Sequence, residues 1–270
     1  MSTHFAAAVQ MTAGSDLAAN LDRARALTER AAGRGATLVV LPENFAWRGA
    51  REEEVEAGTT MPGPVEDFLR ALARELQIVL VGGSFLERLP GMRKCYNTSL
   101  LVDADGVIQA RYRKIHLFDV DLPGEVRVRE SDTRAPGREV VSAITPLGRI
   151  GLTICYDLRF PELYRRLAAS GTTILAVPSA FTFFTGAAHW EPLLRARAIE
   201  NQSYVIAPNQ VGKTQHGCAS YGNSMIVDPW GTVLARASDG EQMITAEIDT
   251  EHLARLRREM PCQDHVRLTS

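Results

Sequence analysis

Two reactive side chains follow strongly apolar segments of the sequence. Glu43 comes directly after the run ATLVVLP (36–42), and Cys155 comes directly after RIGLTI (149–154). Such runs are typical of strands buried on both faces, and ligands of α/β proteins collect at the carboxyl ends of strands. We therefore expect this carboxylate and this thiol to converge on one pocket. Taken singly, each has an ordinary alternative, because Cys155 is equally compatible with a small buried hydrophobe and Glu43 with a surface carboxylate.

A lysine completes a chemically coherent set. The chain uses arginine for nearly all of its basic residues, and Lys114 is one of only three lysines, with Lys94 and Lys213. A thiol becomes a good nucleophile when it loses its proton, which a nearby carboxylate such as Glu43 can accept. An ammonium group can then stabilise the thiolate and the oxyanion of a tetrahedral intermediate. The set predicts nucleophilic catalysis by the Cys155 thiol, whereas Lys114 alone is equally compatible with an exposed charge.

The segments around these residues resemble the motifs of the nitrilase superfamily of carbon–nitrogen hydrolases, in the same order and spacing. The motifs are LPENF (41–45), YRKIHL (112–117) and ICYDLRFPE (154–162). The resemblance extends over nearly the whole chain, from AVQM (8–11) to the last predicted strand. It implies that Glu43 is the general base, Lys114 the electrostatic catalyst and Cys155 the nucleophile. It also implies a second glutamate beside the lysine, and the residue at that position is Glu130. The alternative is that Glu130 is a solvated loop carboxylate.

The resemblance implies a mechanism that needs no metal and no organic cofactor. The thiolate attacks an amide carbonyl, and the oxyanion is held by the Lys114 ammonium and the backbone N–H of Tyr156. Glu43 protonates the leaving group and then activates the water that hydrolyses the thioester. The residues expected to bind the substrate are Tyr156, Arg159, Phe181 and Thr185. Arg159 would pair with a carboxylate or, equally, anchor the Cys155 loop.

The expected substrate is a small ω-amide of a 2-oxo acid, with deaminated glutathione preferred to 2-oxoglutaramate. Three segments look like the amidase branch called Nit: SAFT (179–182), TGAAHW (185–190) and SYGNSM (220–225). Within that branch, the preference for deaminated glutathione rests on the turn DPWGT (228–232) and the segment LRREMP (256–261). N-carbamoyl amino acid hydrolases and nitrilases share the Glu–Lys–Cys set, so that set cannot exclude them. A Cys–His dyad with His116 or His189 is a further alternative, although lone histidines are more often structural. The intact set disfavours a catalytically silent interaction subunit.

Helix-like and strand-like patterns alternate along the chain. Helices are predicted over residues 16–32, 64–76, 161–169, 189–201 and 251–260. Strands are predicted over residues 36–42, 78–82, 98–103, 107–112, 149–154, 173–178, 203–208, 225–228, 232–235 and 243–248. Because no linker divides these elements, we expect one α/β domain over residues 1–270. The resemblance implies that it is a four-layer α-β-β-α sandwich.

The composition disfavours several classes of partner and site. The net charge of −2 and the pI of about 6.3 give no reason to expect nucleic acid or an anionic membrane. No segment approaches the roughly 18 consecutive apolar residues of a membrane-spanning helix, and the start MSTHFAAAVQMTAG lacks the basic region of a signal peptide. The cysteines include no CxxC pair, which disfavours a zinc site and fits a cytoplasmic protein. They are Cys95, Cys155, Cys218 and Cys262.

A homodimer is the assembly that the resemblance implies, with two sandwiches joined through one helical face into an eight-layer unit. The predicted helix over residues 189–201 offers apolar side chains for that face, namely Leu193, Leu194 and Ile199. An isologous two-fold contact would bury them. We expect the charged residues of the same helix to form an ion-pair network in the contact: Glu191, Arg195 and Arg197.

Overall fold

Two β-sheets form the centre of the computed structural model, which describes residues 4–213 and 219–268. The strands of the first sheet are β1 (His4–Gln10), β2 (Ala36–Val40), β3 (Val79–Val81), β4 (Phe85–Glu87), β5 (Tyr96–Val102), β6 (Ile108–Arg113) and β17 (Gln242–Ile248). They are ordered β17-β1-β2-β3-β5-β4, and β6 also pairs with β5. The strands β1, β2 and β3 run parallel, and β17 closes one edge antiparallel to β1.

The second sheet has six strands with a parallel centre. Its strands are β9 (Ser142–Thr145), β10 (Gly148–Leu152), β11 (Ile174–Ala176), β12 (Tyr204–Ala207), β15 (Met225–Val227) and β16 (Val233–Arg236). They are ordered β16-β15-β12-β11-β10-β9, and β10, β11 and β12 run parallel. Two small hairpins lie outside both sheets. They consist of β7 (Asp119–Leu122) with β8 (Val126–Arg129), and of β13 (Val211–Gly212) with β14 (Ser220–Tyr221).

Helices cover the outer face of each sheet. They are α1 (Leu17–Ala32), α2 (Glu54–Ala57), α3 (Pro64–Leu76), α4 (Pro161–Ala169), α5 (Phe183–Asn201) and α6 (Thr250–Glu259). The first sheet carries α1 and α3, and the second carries α4 and α5. The sequence fixes several helix starts, because Asp16 caps α1 by accepting a hydrogen bond from the Ala19 N–H, and α3 and α4 each begin with a proline. Within the described residues, no helix combines the length and the apolar composition that crossing a bilayer requires.

The alternation of side chains along β1 divides the interior into two cores. Ala6 and Ala8 belong to the core that the two sheets share, where they pack with residues of the second sheet. Ala7 and Val9 point to the other face and belong to the core beneath α1 and α3. The order of layers is therefore helix, sheet, sheet, helix. This confirms the predicted α/β fold class, a four-layer α-β-β-α sandwich.

The helix predicted to start at His189 starts at Phe183 instead. The additional turns contain Gly186, and glycine has a low propensity for the interior of a helix. A Cβ atom on Gly186 would lie 2.5 Å from the Cβ of Tyr221 in β14. Glycine therefore lets α5 approach this hairpin closely, and the tertiary contact outweighs its low helix propensity.

The prediction that Arg197 joins Glu191 and Arg195 in an ion-pair network of the dimer contact is wrong, because Arg197 pairs with Glu200 over 2.8 Å. Its side chain is buried, and Nε and Nη2 donate to the Leu158 carbonyl oxygen over 3.0 and 2.8 Å. Arg195, on the exposed face of α5, has a nitrogen 3.9 Å from a Glu191 oxygen. Helical geometry puts Arg197 on the inner face, where it ties α5 to the segment that follows Cys155.

Candidate active site

The predicted catalytic residues reach the site from the ends of separate strands. Glu43 lies three residues after β2, and Lys114 directly follows β6, so both come from the first sheet. Cys155 lies three residues after β10 of the second sheet and begins a 3₁₀ helix, Cys155–Arg159. Glu130 directly follows β8 and begins another short 3₁₀ helix. The structure brings all four together, since Glu43, Lys114, Glu130 and Cys155 line one cavity.

The ammonium group of Lys114 lies between two carboxylates. Its Nζ donates to Glu43 Oε1 over 2.8 Å and to Glu130 Oε2 over 2.9 Å. The Lys114 residue is only 1% exposed. Burial alone would lower the pKa of Lys114, but the negative charges of Glu130 and Glu43 outweigh burial and raise that pKa well above its usual range. The lysine is therefore a permanent cation at neutral pH.

Backbone and side-chain donors from both sheets fix the orientation of Glu43. Its Oε1 accepts a hydrogen bond of 2.8 Å from the side-chain nitrogen of Asn97 in β5, in addition to the bond from Lys114. Its Oε2 accepts one of 2.9 Å from the backbone N–H of Ala180, which follows β11 of the second sheet. Glu43 thus joins the two sheets at the site. Sequence analysis did not single out Asn97, whose signal is a buried amide within a strand.

A second buried ion pair holds Glu130. Arg134 Nη1 donates to Glu130 Oε1 over 2.9 Å, and its Nη2 donates to Glu54 Oε1 over 2.7 Å. The backbone N–H of Phe118 donates to Glu130 Oε2 over 2.9 Å. Burial would raise the pKa of Glu130, but the charges of Lys114 and Arg134 lower it well below its usual range. Glu130 is thus an ionised partner of Lys114. Sequence analysis did not single out Arg134 or Glu54.

The Cys155 thiol is buried, and its environment keeps it protonated in the resting protein. Burial raises the pKa of this thiol well above its usual range, the charge of Glu43 raises it further, and the Lys114 ammonium lowers it in part. The backbone of Cys155 has a φ of 48°, in the left-handed region that is uncommon for residues other than glycine. Its N–H donates to the Pro178 carbonyl over 2.9 Å, which ties this turn to the segment after β11.

The carboxylate of Asp157 secures the turn that presents Cys155. It accepts hydrogen bonds from the Ile154 N–H over 2.8 Å and from the Tyr112 hydroxyl over 2.6 Å. The side chain of Asp157 is fully buried, and Tyr112 belongs to β6, which also leads to Lys114. Asp157 therefore sets the Cys155 turn relative to the strand that carries the lysine.

Both histidines that could form a Cys–His dyad have other partners. His116 Nδ1 lies 2.7 Å from Asp157 Oδ1, and its ring stacks on Phe160 with centroids 3.7 Å apart. His189 Nδ1 lies 3.3 Å from Arg159 Nη1. These contacts give each imidazole a structural role and favour the Glu–Lys–Cys arrangement over a dyad.

The residues predicted to bind substrate line a small cavity that opens on Cys155. Its lining, among the described residues, is Phe118, Cys155, Tyr156, Arg159, Ala180, Phe181, Thr182 and Thr185. The guanidinium of Arg159 lies over two aromatic rings, 5.2 Å from the Phe181 centroid and 5.9 Å from that of Tyr156. Thr185 Oγ1 lies 2.8 Å from Thr182 Oγ1. This cavity, called here the acyl cavity, combines an apolar wall with one cation.

A second cavity, called here the polar cavity, meets the acyl cavity at Cys155. It has a volume of about 170 Å³. The two cavities share Phe118, Cys155, Ala180 and Thr182. The polar cavity alone is lined by Glu43, Asn44, Trp47, Arg48, Gly49, Arg51, Glu54, Lys114, Val128, Glu130 and Arg134. The acyl cavity is the smaller, at about 20 Å³, so Cys155 lies between one tight and one roomier cavity.

The geometry suits nucleophilic attack on a neutral carbonyl group. The thiol is protonated at rest, so it needs a base, and the Glu43 carboxylate lies in the same cavity. A buried cation such as Lys114 can stabilise an oxyanion in a site shielded from water. The remaining cysteines of the described residues, Cys95 and Cys262, are free, and burial raises the pKa of Cys95 to about 11. Cys218 lies outside the described residues.

The chain is similar to known proteins over nearly its whole length. The profile of the family described as carbon–nitrogen hydrolase matches residues 5–258. The chain is 43% identical over 268 residues to a deaminated glutathione amidase of Synechocystis sp. (strain PCC 6803 / GT-S), and the match covers 98% of each chain. It is 41% identical over 242 residues to omega-amidase NIT2 of Xenopus tropicalis, covering 90% of this chain and 87% of that relative.

A solved structure shares the fold over the same extent. The crystal structure of the Caenorhabditis elegans NitFhit protein superposes with a TM-score of 0.91 at 43% sequence identity. The match covers 99% of this chain and 66% of the NitFhit chain. The family profile, the sequence identities and the shared fold therefore point to the same family.

Proposed function

The chain belongs to the carbon–nitrogen hydrolase family, and from that premise we propose that it is a cysteine-dependent amidase for deaminated glutathione. This substrate is a 2-oxo acid joined by an amide to Cys-Gly, and hydrolysis yields 2-oxoglutarate and Cys-Gly. The observation that carries the proposal is the position of Lys114 between Glu43 and Glu130 in the cavity that holds Cys155. Relatives that bear the name deaminated glutathione amidase support the choice of substrate.

In the first half of the reaction the acyl group moves to sulfur. Glu43 takes the proton of the Cys155 thiol as the sulfur attacks the amide carbonyl carbon. The carbonyl oxygen becomes an oxyanion that is held by the Lys114 ammonium and the Tyr156 backbone N–H. When the tetrahedral intermediate collapses, the C–N bond breaks and Glu43 gives its proton to the departing nitrogen. A thioester remains on Cys155.

In the second half water replaces the thiol. Glu43, again a carboxylate, takes a proton from a water molecule as the water oxygen attacks the thioester carbon. Lys114 again holds the oxyanion. The C–S bond then breaks, the proton on Glu43 returns to sulfur, and the carboxylic acid leaves in its ionised form with loss of one proton to solvent. The cycle ends with the thiol and the carboxylate in their starting states.

Glu130 acts through the lysine. Its ionised carboxylate, 2.9 Å from Lys114 Nζ, favours the charged form of the lysine and directs the ammonium toward Glu43. Arg134 keeps Glu130 ionised in turn. Because every oxygen of Glu130 already accepts from Lys114, Arg134 or Phe118, its proposed role is to position the lysine.

The acyl cavity is proposed to hold the 2-oxo acid part of the substrate. Arg159 can pair with the carboxylate of the 2-oxo acid, because its described contacts are aromatic faces and the His189 ring. Phe181 and Thr185 flank the carbon chain between that carboxylate and Cys155. The acyl part stays on sulfur through both steps, so this side should discriminate substrates more strictly than the side of the amine.

A second candidate reaction is hydrolysis of 2-oxoglutaramate, whose leaving group is ammonia. The 41% identity to an omega-amidase favours it. Both substrates place the same 2-oxo acid in the acyl cavity and differ only in the amine that leaves. Nitriles and N-carbamoyl amino acids are expected to be poor substrates.

Product release tests the proposed reaction directly. The purified protein is incubated with deaminated glutathione, and Cys-Gly and 2-oxoglutarate are quantified over time. We expect equal amounts of both, and no release above background by Cys155→Ser. Release by Cys155→Ser at the wild-type rate, or no release by the wild type, would refute the proposed activity.

Assembly and location complete the proposal. We propose a homodimer through the exposed side of α5, where Ile199 is 46% exposed and Trp230, on the adjoining turn, is 61% exposed. Burial of such side chains against a second copy is favourable. We also propose a cytoplasmic location, because the mechanism requires a free Cys155 thiol and a reducing compartment maintains it.

A further inference from the structure

One cationic side chain of the polar cavity forms no ion pair within the described residues. Among the described residues, four cations face three carboxylates in its lining: Arg48, Arg51, Lys114 and Arg134 against Glu43, Glu54 and Glu130. Lys114 and Arg134 bind those carboxylates. Arg51 Nη1 is buried, yet it has no hydrogen-bond partner in the described part of the chain. Arg51 lines the cavity and forms no ion pair within the described residues, so its guanidinium is available to a carboxylate that enters there.

The position of Glu43 decides which part of the substrate enters this cavity. Glu43 lines the polar cavity and does not line the acyl cavity. In the proposed reaction Glu43 protonates the departing nitrogen, so the amine must lie on the Glu43 side of the tetrahedral carbon. Arg159 and Phe181 line the acyl cavity, where the acyl group is proposed to bind. The polar cavity is therefore where the amine portion leaves.

We propose that Arg51 binds the carboxylate of the departing amine and thereby makes the enzyme selective for amides whose amine part ends in a carboxylate. This inference rests on the proposed function and extends it by assigning a subsite to the leaving group. Cys-Gly carries such a carboxylate, whereas the ammonia released from 2-oxoglutaramate does not. Arg48, which lines the same cavity, adds to its positive potential. The ligand class is thus 2-oxo acid amides of short peptides with a free carboxyl end.

A matched pair of substrates isolates this contact. The pair is deaminated glutathione and its analogue with a carboxamide in place of the terminal carboxylate, so the acyl group and the scissile amide are identical. In the wild type we expect kcat/KM to be at least about tenfold higher for the carboxylate, since a charge-assisted hydrogen bond is lost with the carboxamide. In Arg51→Gln the ratio should fall toward one. In Arg51→Lys it should be partly restored.

Two control variants separate this role from others. Arg34→Gln removes an exposed arginine in the turn after α1 and should leave the ratio unchanged. Arg159→Gln should lower kcat/KM for both substrates and keep their ratio, because it faces the acyl group that they share.

The outcomes are distinguishable. A ratio that Arg51→Gln leaves at the wild-type value overturns the proposal while the proposed function stands. A ratio that changes in Arg159→Gln and not in Arg51→Gln shows that the substrate binds in the reverse orientation, and this too overturns the proposal. No turnover of either substrate by the wild type refutes the proposed function, and the assignment of the leaving-group subsite with it.

Discussion

The Nζ atom of Lys114 lies 2.8 Å from Glu43 Oε1, and this buried contact joins the ends of β6 and β2. Both residues are only 1% exposed. A buried ion pair is stable only when further hydrogen bonds satisfy its remaining atoms. Asn97 and Ala180 supply them on the side of Glu43, and Glu130 supplies one on the side of Lys114. Glu43, which is proposed to move protons, therefore also helps to stabilise the fold.

Removal of the lysine should abolish most activity. For Lys114→Ala we expect kcat/KM for deaminated glutathione to fall by about 10²–10³-fold, the usual effect of losing an oxyanion donor. The variant should also unfold at lower urea concentration, because Glu43 loses its buried counter-charge. Lys213→Ala, which removes an exposed lysine, serves as the control. Retention of more than about a tenth of wild-type kcat/KM by Lys114→Ala would contradict the electrostatic role.

Acid should weaken the fold partly through Glu54. Burial alone would raise the pKa of Glu54, but Arg134 and Thr133 lower it below its ordinary value of 4.5. Because this pKa is lower in the folded state than in the unfolded state, the carboxylate stabilises the fold above that ordinary value. The stabilisation is lost as the pH falls through the folded-state pKa.

The measurement is urea unfolding of the wild type and Glu54→Gln as a function of pH. The difference in unfolding free energy between them should be large at neutral pH and should shrink as the solution is acidified. Glu56→Gln, which changes an exposed carboxylate of the same helix, should differ little from the wild type at any pH. If the difference in unfolding free energy between the wild type and Glu54→Gln stayed constant down to acid pH, the ion pair with Arg134 would not lower the pKa of Glu54.

Gly186→Ala should destabilise the protein. The added Cβ would lie 2.5 Å from the Tyr221 Cβ, so α5 or the β13–β14 hairpin must move. Strain of this kind costs about 1–3 kcal/mol, measured as the change in unfolding free energy in urea. Gly14→Ala is the control, since a Cβ there meets nothing within 4 Å. Equal stability of Gly186→Ala and the wild type would show that the helix tolerates the larger residue.

A charge on the exposed face of α5 should dissociate the proposed homodimer. The chain has a mass of 29.6 kDa, and light scattering of the wild type should give about twice that mass for an isologous pair. Ile199→Arg should shift the mass toward the single chain. Ile144→Arg, at a 70% exposed position on β9, should leave the assembly intact. A wild-type mass of one chain at micromolar concentration would refute the dimer.

Local sequence patterns predicted the parts of the fold that depend on local physics. The buried runs before Glu43 and Cys155 identified β2 and β10, because apolar composition and length specify a doubly buried strand. The start of α5 was not predictable, since Gly186 depends on its contact with Tyr221. The short strands β7 (DVDL) and β8 (VRVR) alternate polar and apolar residues on either side of a Pro-Gly turn, and sequence analysis missed this hairpin signal.

The site was predictable only where motifs mark it. Lys114 and Cys155 lie within segments of characteristic residues, but the partners that hold the site together are distant in sequence. Asn97 lies 54 positions from Glu43, and Arg134 lies 80 positions from Glu54. No local pattern reports which distant polar groups will meet. Asp157 differs from these residues because it lies inside a motif. It could have been noted as a carboxylate that fixes the turn before the helix.

The most direct test of the account is a side-by-side measurement of kcat/KM for deaminated glutathione and 2-oxoglutaramate with the same enzyme preparation. The two substrates share the acyl group that the acyl cavity is proposed to bind, so their difference reports on the leaving amine alone. We predict the higher kcat/KM for deaminated glutathione, with little turnover of a nitrile or an N-carbamoyl amino acid in the same assay. A higher kcat/KM for 2-oxoglutaramate would contradict the proposed substrate, and preferred turnover of a nitrile or a carbamoyl amino acid would contradict the proposed reaction.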